Sequence, residues 1–305
     1  MLPTAGEGKH PLRGYKGVDL RIGGRSLITL LIERLKACPE FDPIWIAGPS
    51  RIYCQAETAA PVIDTDSTFA GNIRVALEAL FKAHPPGPVA VTTCDILPDP
   101  AELYALLSDY HRQGDCDVWF PLIRAPKEPE RLRAFAWKPD YRIVPEAGAV
   151  PVRVLPSHLV VADPAALRLN FIYRLLELAY RTRNRPIAVR RSSMTSRVIF
   201  SLLYQDLIHL LTLRLPTLTW SVLTNGLRMA SRLKAGTILR SELEEAIRNV
   251  VVKTRHRKRF PERGVRFPIL EGLTLAQDID TEEEAQELEE KWRESGGKGL
   301  HRISS

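Results

Sequence analysis

No C-x-x-C pair occurs anywhere in this 305-residue sequence. Its four cysteines, Cys38, Cys54, Cys94 and Cys116, stand well apart. That spacing argues against a structural zinc site, offers no disulfide framework, and fits a reducing, cytoplasmic setting. No window reaches the roughly eighteen uninterrupted apolar residues that a membrane span needs, so the chain reads as soluble or peripheral. The opening stretch MLPTAGEGKHPLRGYKG lacks an apolar core, and no secretory signal is expected. Aromatic side chains are sparse around the densest basic cluster, KTRHRKRF at residues 253–260. A surface that stacks on bases interleaves aromatics with its cations, so this cluster speaks against nucleic acid. No internal repeat is visible.

What is present is an ordinary globular composition, 45% hydrophobic and 26% charged, with a formal net charge of +7. The charge is unevenly placed. Residues 181–263 hold 18 Lys/Arg against 5 Asp/Glu, a local excess of 13, which leaves −6 for the remainder. Such asymmetry fits a segment facing phosphate, an acidic polymer or a membrane surface, or else a solvated face.

The first 170 residues alternate strand-like and helix-like patterns. SLITLLIERLKAC (26–38) is apolar at helical spacing, with Ser26 as its cap; PIWIAG reads as a short strand ending at Gly48. GNIRVALEALFKAH is an amphipathic helix with Ile73, Leu77 and Leu80 on one face. GPVAVTTCD is a continuous apolar run, expected as a strand covered on both sides. AELYALLSDYHRQG is a helix stopped by Gly114, and DVWFPLI another strand. This alternation predicts an α/β fold with a mostly parallel sheet flanked by helices. From about residue 170 the pattern turns helical and basic, and strand-like sequence returns at VRFPIL and LTLAQ. The expected organisation is a main domain of residues 1–169 and 264–293, a basic helical insertion at 170–263, and a flexible tail at 294–305. Within the insertion, the apolar stretch 194–233 must bury its face in the protein, in a second subunit, or in a lipid interface.

Three places carry chemistry. Ala5-Gly6-Glu7-Gly8, followed by Lys16 and Gly23-Gly24, supplies glycines that let backbone N–H groups approach a triphosphate and a lysine to neutralise it. In VAVTTCDILPDP a strand delivers Asp95 to its carboxyl end, where an ionised carboxylate needs a partner such as a metal ion. In LTLAQDIDTEEEAQELEEKW, Asp278 and Asp280 fall between an expected strand and a helix whose start, Thr281 with Glu284, fits a capping box.

In this order and spacing the three places resemble the nucleotidyltransferase superfamily of glycosyltransferase-A-like fold, and within it the MobA-like NTP transferases. Ala5, Gly6, Gly8, Lys16, Gly23, Gly24, Leu27 and Ile28 match the family's opening loop and helix start. Asp95 matches its strand-end aspartate, and DIDTEEEAQEL is similar to its closing D-I-D-T-P-E-D-L. The resemblance implies a Rossmann-like sheet with the helical block as an insertion. It implies transfer of an NMP group from an NTP to a small phosphorylated or hydroxylated acceptor, with release of pyrophosphate and dependence on Mg2+. By the same resemblance Ala5, Gly6, Gly8, Lys16, Gly71 and Asn72 bind the nucleotide, Lys16 and Asp95 are catalytic, and Asp95, Asp278 and Asp280 hold the metal.

The partners implied are a nucleoside triphosphate and a small anionic acceptor, with a peripheral contact at the inner membrane surface or a homodimer through 194–233. The sequence departs from the pattern at Lys9 and His10 in the loop, at Ser26 and at Glu283, where proline is usual at the last two. Three other readings therefore stay open. One is a family member that has lost catalysis. Another is a glycosyltransferase using Asp278 and Asp280 as its D-x-D. The third is a basic protein of membranes or nucleic acid. His10 is a phosphate contact or an exposed loop residue. His158, in PSHLVVADP, is a surface residue or lies where related proteins bind the acceptor. His209 reads as a core or interface residue.

Overall fold

Residues 15–56, 58–127, 141–182, 229, 231–233, 235–279 and 282–294 are described in the computed structural model of the chain. Ala5, Gly6, Gly8, His10, His209, Asp280, Thr281 and nearly all of 194–233 lie outside these residues.

The described chain enters through a single helical turn, α1 (Lys16–Asp19), closed by the Tyr15 N–H donating to Asp19 Oδ2 at 2.6 Å. A hairpin follows, β1 (Arg21–Ile22) and β2 (Arg25–Ser26). Its two-residue turn is Gly23-Gly24 with φ of 58° and 79°. Left-handed backbone at both central positions is the geometry that glycine tolerates and that matches strand twist. Ser26 then caps α2 (Leu27–Lys36), its Oγ accepting from the Thr29 N–H at 3.4 Å. Leu27, Ile28, Leu30, Leu31, Ile32 and Leu35 are all buried, so this helix is covered on most of its surface.

Two parallel strands, β3 (Ile46–Gly48) and β4 (Val62–Asp64), pair with Gly48 opposite Asp64. Between them lies the short α3 (Ser50–Tyr53), and after them α4 (Phe69–Ala83), capped by Thr68. The Tyr53 ring folds back so closely that a Cβ on residue 48 would lie 2.3 Å from it, so glycine is required there. β5 (Val89–Thr92) leads through Asp95 to α5 (Pro100–Gln113), which ends at Gly114 with φ 69°. β5 is less covered than its apolar run suggested, with Ala90 exposed. Among the described residues it is an edge strand, bonded only to β10.

DVWFPLI forms two strands rather than one, β6 (Val118–Trp119) and β7 (Leu122–Arg124), because Pro121 lacks an N–H to continue the ladder. VRFPIL is split in the same way by Pro268 into β11 (Val265–Arg266) and β12 (Ile269–Leu270). The pairs run side by side through the bend, with Phe120 N–H donating to Arg266 O at 2.9 Å and Leu122 N–H to Pro268 O at 2.8 Å. Between these segments of chain, β8 (Tyr141–Ile143), β9 (Val152–Pro156) and β10 (Leu159–Ala162) return the chain. The sheet orders are β11-β6-β10-β5 and β12-β7-β9-β8. β11 and β12 pair in parallel, whereas β9 and β10 are antiparallel to their neighbours. The short β8–β9 connection through Gly148 leaves no room for a parallel crossover, which makes the sheet mixed there.

LTLAQ is not a strand. Gly272, at φ 150°, turns the chain into a 3-10 turn at Leu273–Leu275, so Asp278 follows a turn rather than a strand end. The last helix, α9 (Glu282–Glu294), comes after α6 (Leu169–Thr182), α7 (Arg240–Val251) and α8 (Thr254–Arg259). Ala285 and Leu288 of α9 pack on a cluster of Ile22, Leu27, Leu30, Leu97 and Ile279, and its Glu289 Oε2 accepts the Gly23 N–H at 2.8 Å. Burying side chains of this size is worth about 1.5–3 kcal/mol each, which fixes the C-terminal segment against the first hairpin. The residues around α7 share a core with the strands: Ile238 and Val252 are buried with Leu122, Ile143, Val154, Val265 and Phe267. α6 lies along α4, with Phe69 and Tyr180 stacked at 6.1 Å.

Candidate active site

The carboxyl ends of β3, β4 and β5 face the same region, and each delivers polar groups to it. After β3, the Ser50 N–H donates to Asp64 Oδ1 at 2.7 Å, which holds that carboxyl below the usual range. Tyr53 from α3 spans toward β5, its hydroxyl 3.6 Å from Cys94 Sγ, with the Tyr15 ring edge-on at 6.4 Å. Burial pushes the Tyr53 hydroxyl and the Cys94 thiol above their ordinary values, so both are neutral fillers. Arg51 links Asp66, at 2.7 Å, to the Tyr15 hydroxyl, at 3.4 Å.

After β4, the predicted nucleotide residues Gly71 and Asn72 open α4. Asn72 Oδ1 accepts from Thr65 Oγ1 at 3.0 Å and from the Ser67 N–H at 2.9 Å, which shapes the 65–67 loop. Gly71 donates its N–H to Thr68 Oγ1 at 3.2 Å, and a Cβ there would meet Ser67 Oγ at 2.4 Å. Glycine therefore lets the loop fold tightly over the helix start.

The chain neighbours of Lys16 and Asp95 meet. Gly17, next to Lys16, lies so close to Cys94 that a Cβ would be 3.2 Å from its Cβ and Sγ. Cys94 immediately precedes Asp95. The Asp95 carboxylate is half-buried, and its Oδ1 is buried without a hydrogen-bond partner among the described residues. A buried carboxylate oxygen left unpaired costs free energy, and a protein retains one where a ligand completes it. Arg34 reaches from α2 to clamp the following loop, donating to Leu97 O at 3.0 Å and Pro98 O at 2.5 Å.

The late segment reaches this loop by backbone and side-chain bonds. The Ile279 N–H donates to Asp95 O at 2.8 Å, which ties the backbone just after Asp278 to that of Asp95. Thr274 accepts the Asp99 N–H on its Oγ1 at 2.8 Å, and it donates both its N–H and its hydroxyl to Glu102 Oε2. His158 stands on the other side. Its N–H donates to Leu275 O at 2.8 Å, its Nδ1 is 3.4 Å from Thr93 Oγ1, and its Nε2 is 3.9 Å from Asp278 Oδ1. Asp278 is 9% exposed. Among the described residues no group of three or more His, Cys, Asp or Glu is arranged to hold a metal ion, and the remaining predicted ligand, Asp280, lies outside them. No described helix is long and apolar enough to cross a membrane.

Sequence reasoning did not single out Tyr53, Arg34, Glu102 or Thr274. The signal for the Tyr53–Gly48 contact was the glycine at a strand end. The Glu102–Thr274 staple joins positions 172 apart and leaves no local pattern.

The strand-end carboxylate with an unpaired oxygen is thus met by a second acidic segment, residues 273–279. The chain belongs to the MobA-like NTP transferase family, whose domain model matches residues 11–191. It is a nucleotidyltransferase, of the class that moves an NMP group from an NTP. Among solved structures it is similar to CMP:2-keto-3-deoxy-manno-octonic acid synthetase complexed with CTP, at 12% identity over 94% of this chain and 95% of that one, with a TM-score of 0.50. That likeness shows the shared glycosyltransferase-A-like fold. A 4-diphosphocytidyl-2C-methyl-D-erythritol synthase from Anaerococcus prevotii matches at 11% identity over 92% of this chain and 94% of that one, with a TM-score of 0.40. Among curated proteins, none matches the chain.

Proposed function

We propose that this protein transfers an NMP group to a small anionic acceptor with the help of Mg2+. The acceptor carries a phosphate or hydroxyl oxygen that attacks the α-phosphorus of the NTP. A new P–O bond forms, the bond from the α-phosphorus to the bridging oxygen breaks, and pyrophosphate leaves. The observation that carries this reading is the buried, unpaired Oδ1 of Asp95 at the end of β5, with the backbone just after Asp278 tied to that of Asp95. Carboxylates from two segments joined in this way, with phosphate oxygens and water to complete the shell, would suit a small hard cation. The chemistry Mg2+ supplies when bound is neutralisation of phosphate charge.

Asp95, Asp278 and Asp280 are assigned to hold the metal. Lys16 is assigned to the charge of the triphosphate, and the amides of Ala5, Gly6 and Gly8 to its β- and γ-phosphates. Gly71 and Asn72 shape the loop against the nucleotide. Reaction by in-line positioning and charge neutralisation asks little covalent chemistry of the protein, which fits a site without an evident nucleophile among its described residues. The D-x-D glycosyltransferase reading leaves Asp95 and Lys16 without a role.

A thermal-shift screen with CTP, GTP, UTP and ATP, each with and without MgCl2, tests the reading. A ligand at 100 times its Kd stabilises by about 2.7 kcal/mol, so one nucleotide with Mg2+ is expected to raise the Tm by roughly 5 °C. If all four leave the Tm unchanged, a family member that no longer binds substrate is the better account.

A further inference from the structure

We propose that His158 is a positioning residue that sets Asp278 toward Asp95. The inference rests on the reading that these two carboxylates hold a cation, and it adds a residue that the family resemblance does not assign to the cation. The His158 side chain lies between the two carboxylate-bearing segments. Its Nδ1 lies 3.4 Å from Thr93 Oγ1, two residues before Asp95 on the end of β5. Its backbone N–H donates to Leu275 O at 2.8 Å, three residues before Asp278. Its Nε2 stands 3.9 Å from Asp278 Oδ1, beyond hydrogen-bond length but within reach of a favourable electrostatic contact. The imidazole is only 22% exposed and the Asp278 side chain 9%, so water screens the contact weakly.

The ring stands with Nδ1 on the Thr93 side and Nε2 on the Asp278 side. Ser157 Oγ accepts the Leu159 N–H at 3.1 Å, and the Ser157 hydroxyl is 3.4 Å from Leu275 O, so the turn that carries His158 into β10 is itself fixed. Carboxylates that bind metals are commonly oriented by a second hydrogen-bonding group, and the loss of that group weakens the metal site. His158 offers Asp278 an electrostatic contact in place of such a hydrogen bond, from the residue that precedes the strand running antiparallel between β5 and β6.

Binding of Mn2+, a paramagnetic stand-in for Mg2+, is followed by electron paramagnetic resonance on the full chain. His158→Leu is expected to weaken Mn2+ roughly 10- to 100-fold, the usual effect of losing such a partner. His158→Gln places an amide nitrogen near the position of Nε2 and should stay within about threefold of wild type, because the same partner is retained. Thr93→Val, which removes the contact at Nδ1, should weaken Mn2+ by several-fold and keeps the test open should His158→Leu fail to fold. Unchanged affinity in folded His158→Leu or in Thr93→Val contradicts the inference. So does a His158→Gln variant as weak as His158→Leu, which would mean the ring only fills space. Asp95→Asn separates the two levels: if it binds Mn2+ as wild type does, or if wild type binds none, the cation reading itself fails.

Discussion

Asp95→Asn is expected to reduce NMP transfer by roughly 10³-fold or more, since a metal-bound carboxylate supports several kcal/mol of charge stabilisation in the transition state. The fold should survive. The Asp95 backbone carbonyl, which receives the Ile279 N–H, is untouched by the substitution, and the clamp from Arg34 to Leu97 and Pro98 stays in place. The side chain itself holds an oxygen that is buried without a partner among the described residues, so removing its charge lowers a desolvation cost. The Tm of Asp95→Asn is therefore expected to equal or exceed that of wild type while turnover collapses. Steady-state kinetics beside a melting curve checks both halves. A variant that loses activity only because it melts early would move Asp95 from the chemistry to the scaffold.

Lys16→Ala is the second large effect. Removing one fixed cation from a developing phosphate charge typically costs about 10²–10³-fold in rate, and here it should also weaken triphosphate affinity. Gly17, which follows Lys16 in the short α1 turn, lies against Cys94, which precedes Asp95. Lys16→Arg keeps the charge but spreads it over a wider planar group, and it should recover only part of the loss. Triphosphate affinity that is the same in wild type and Lys16→Ala, measured by titration, would remove the lysine from the site.

Much of the frame was legible because it is local. The Ser26 cap, the Gly114 stop and the short strand ending at Gly48 are each decided within a few residues, by a side chain that satisfies a helix start or by a glycine that permits a turn. Asp95 stood out because it ends an apolar run, and in the fold its Oδ1 is buried without a partner among the described residues. Prolines inside two apparent strands carried more information than their apolar flanks: Pro121 and Pro268 bend both paired segments at the same level. LTLAQ misled because its apolar alternation matches a strand, while Gly272 and the Thr274–Glu102 bonds impose a tight turn. His158 was not legible as a neighbour of Asp278, because the contact joins three segments distant in sequence and only folding places them together. Gly23-Gly24 read as part of a phosphate loop, and the described structure uses the pair as a hairpin turn tied to the last helix.

The central claim is that the first half of the chain and the late acidic segment form one site for a metal-bound nucleoside triphosphate. Isothermal titration of wild-type protein and Asp95→Asn, using the nucleotide that raises the Tm most, with and without MgCl2, tests it directly. The account predicts saturable binding to wild type that strengthens when Mg2+ is present, and a Mg2+ effect that disappears in Asp95→Asn. Equal Mg2+ dependence in the two proteins, or no binding to wild type by any of the four nucleotides, would contradict it.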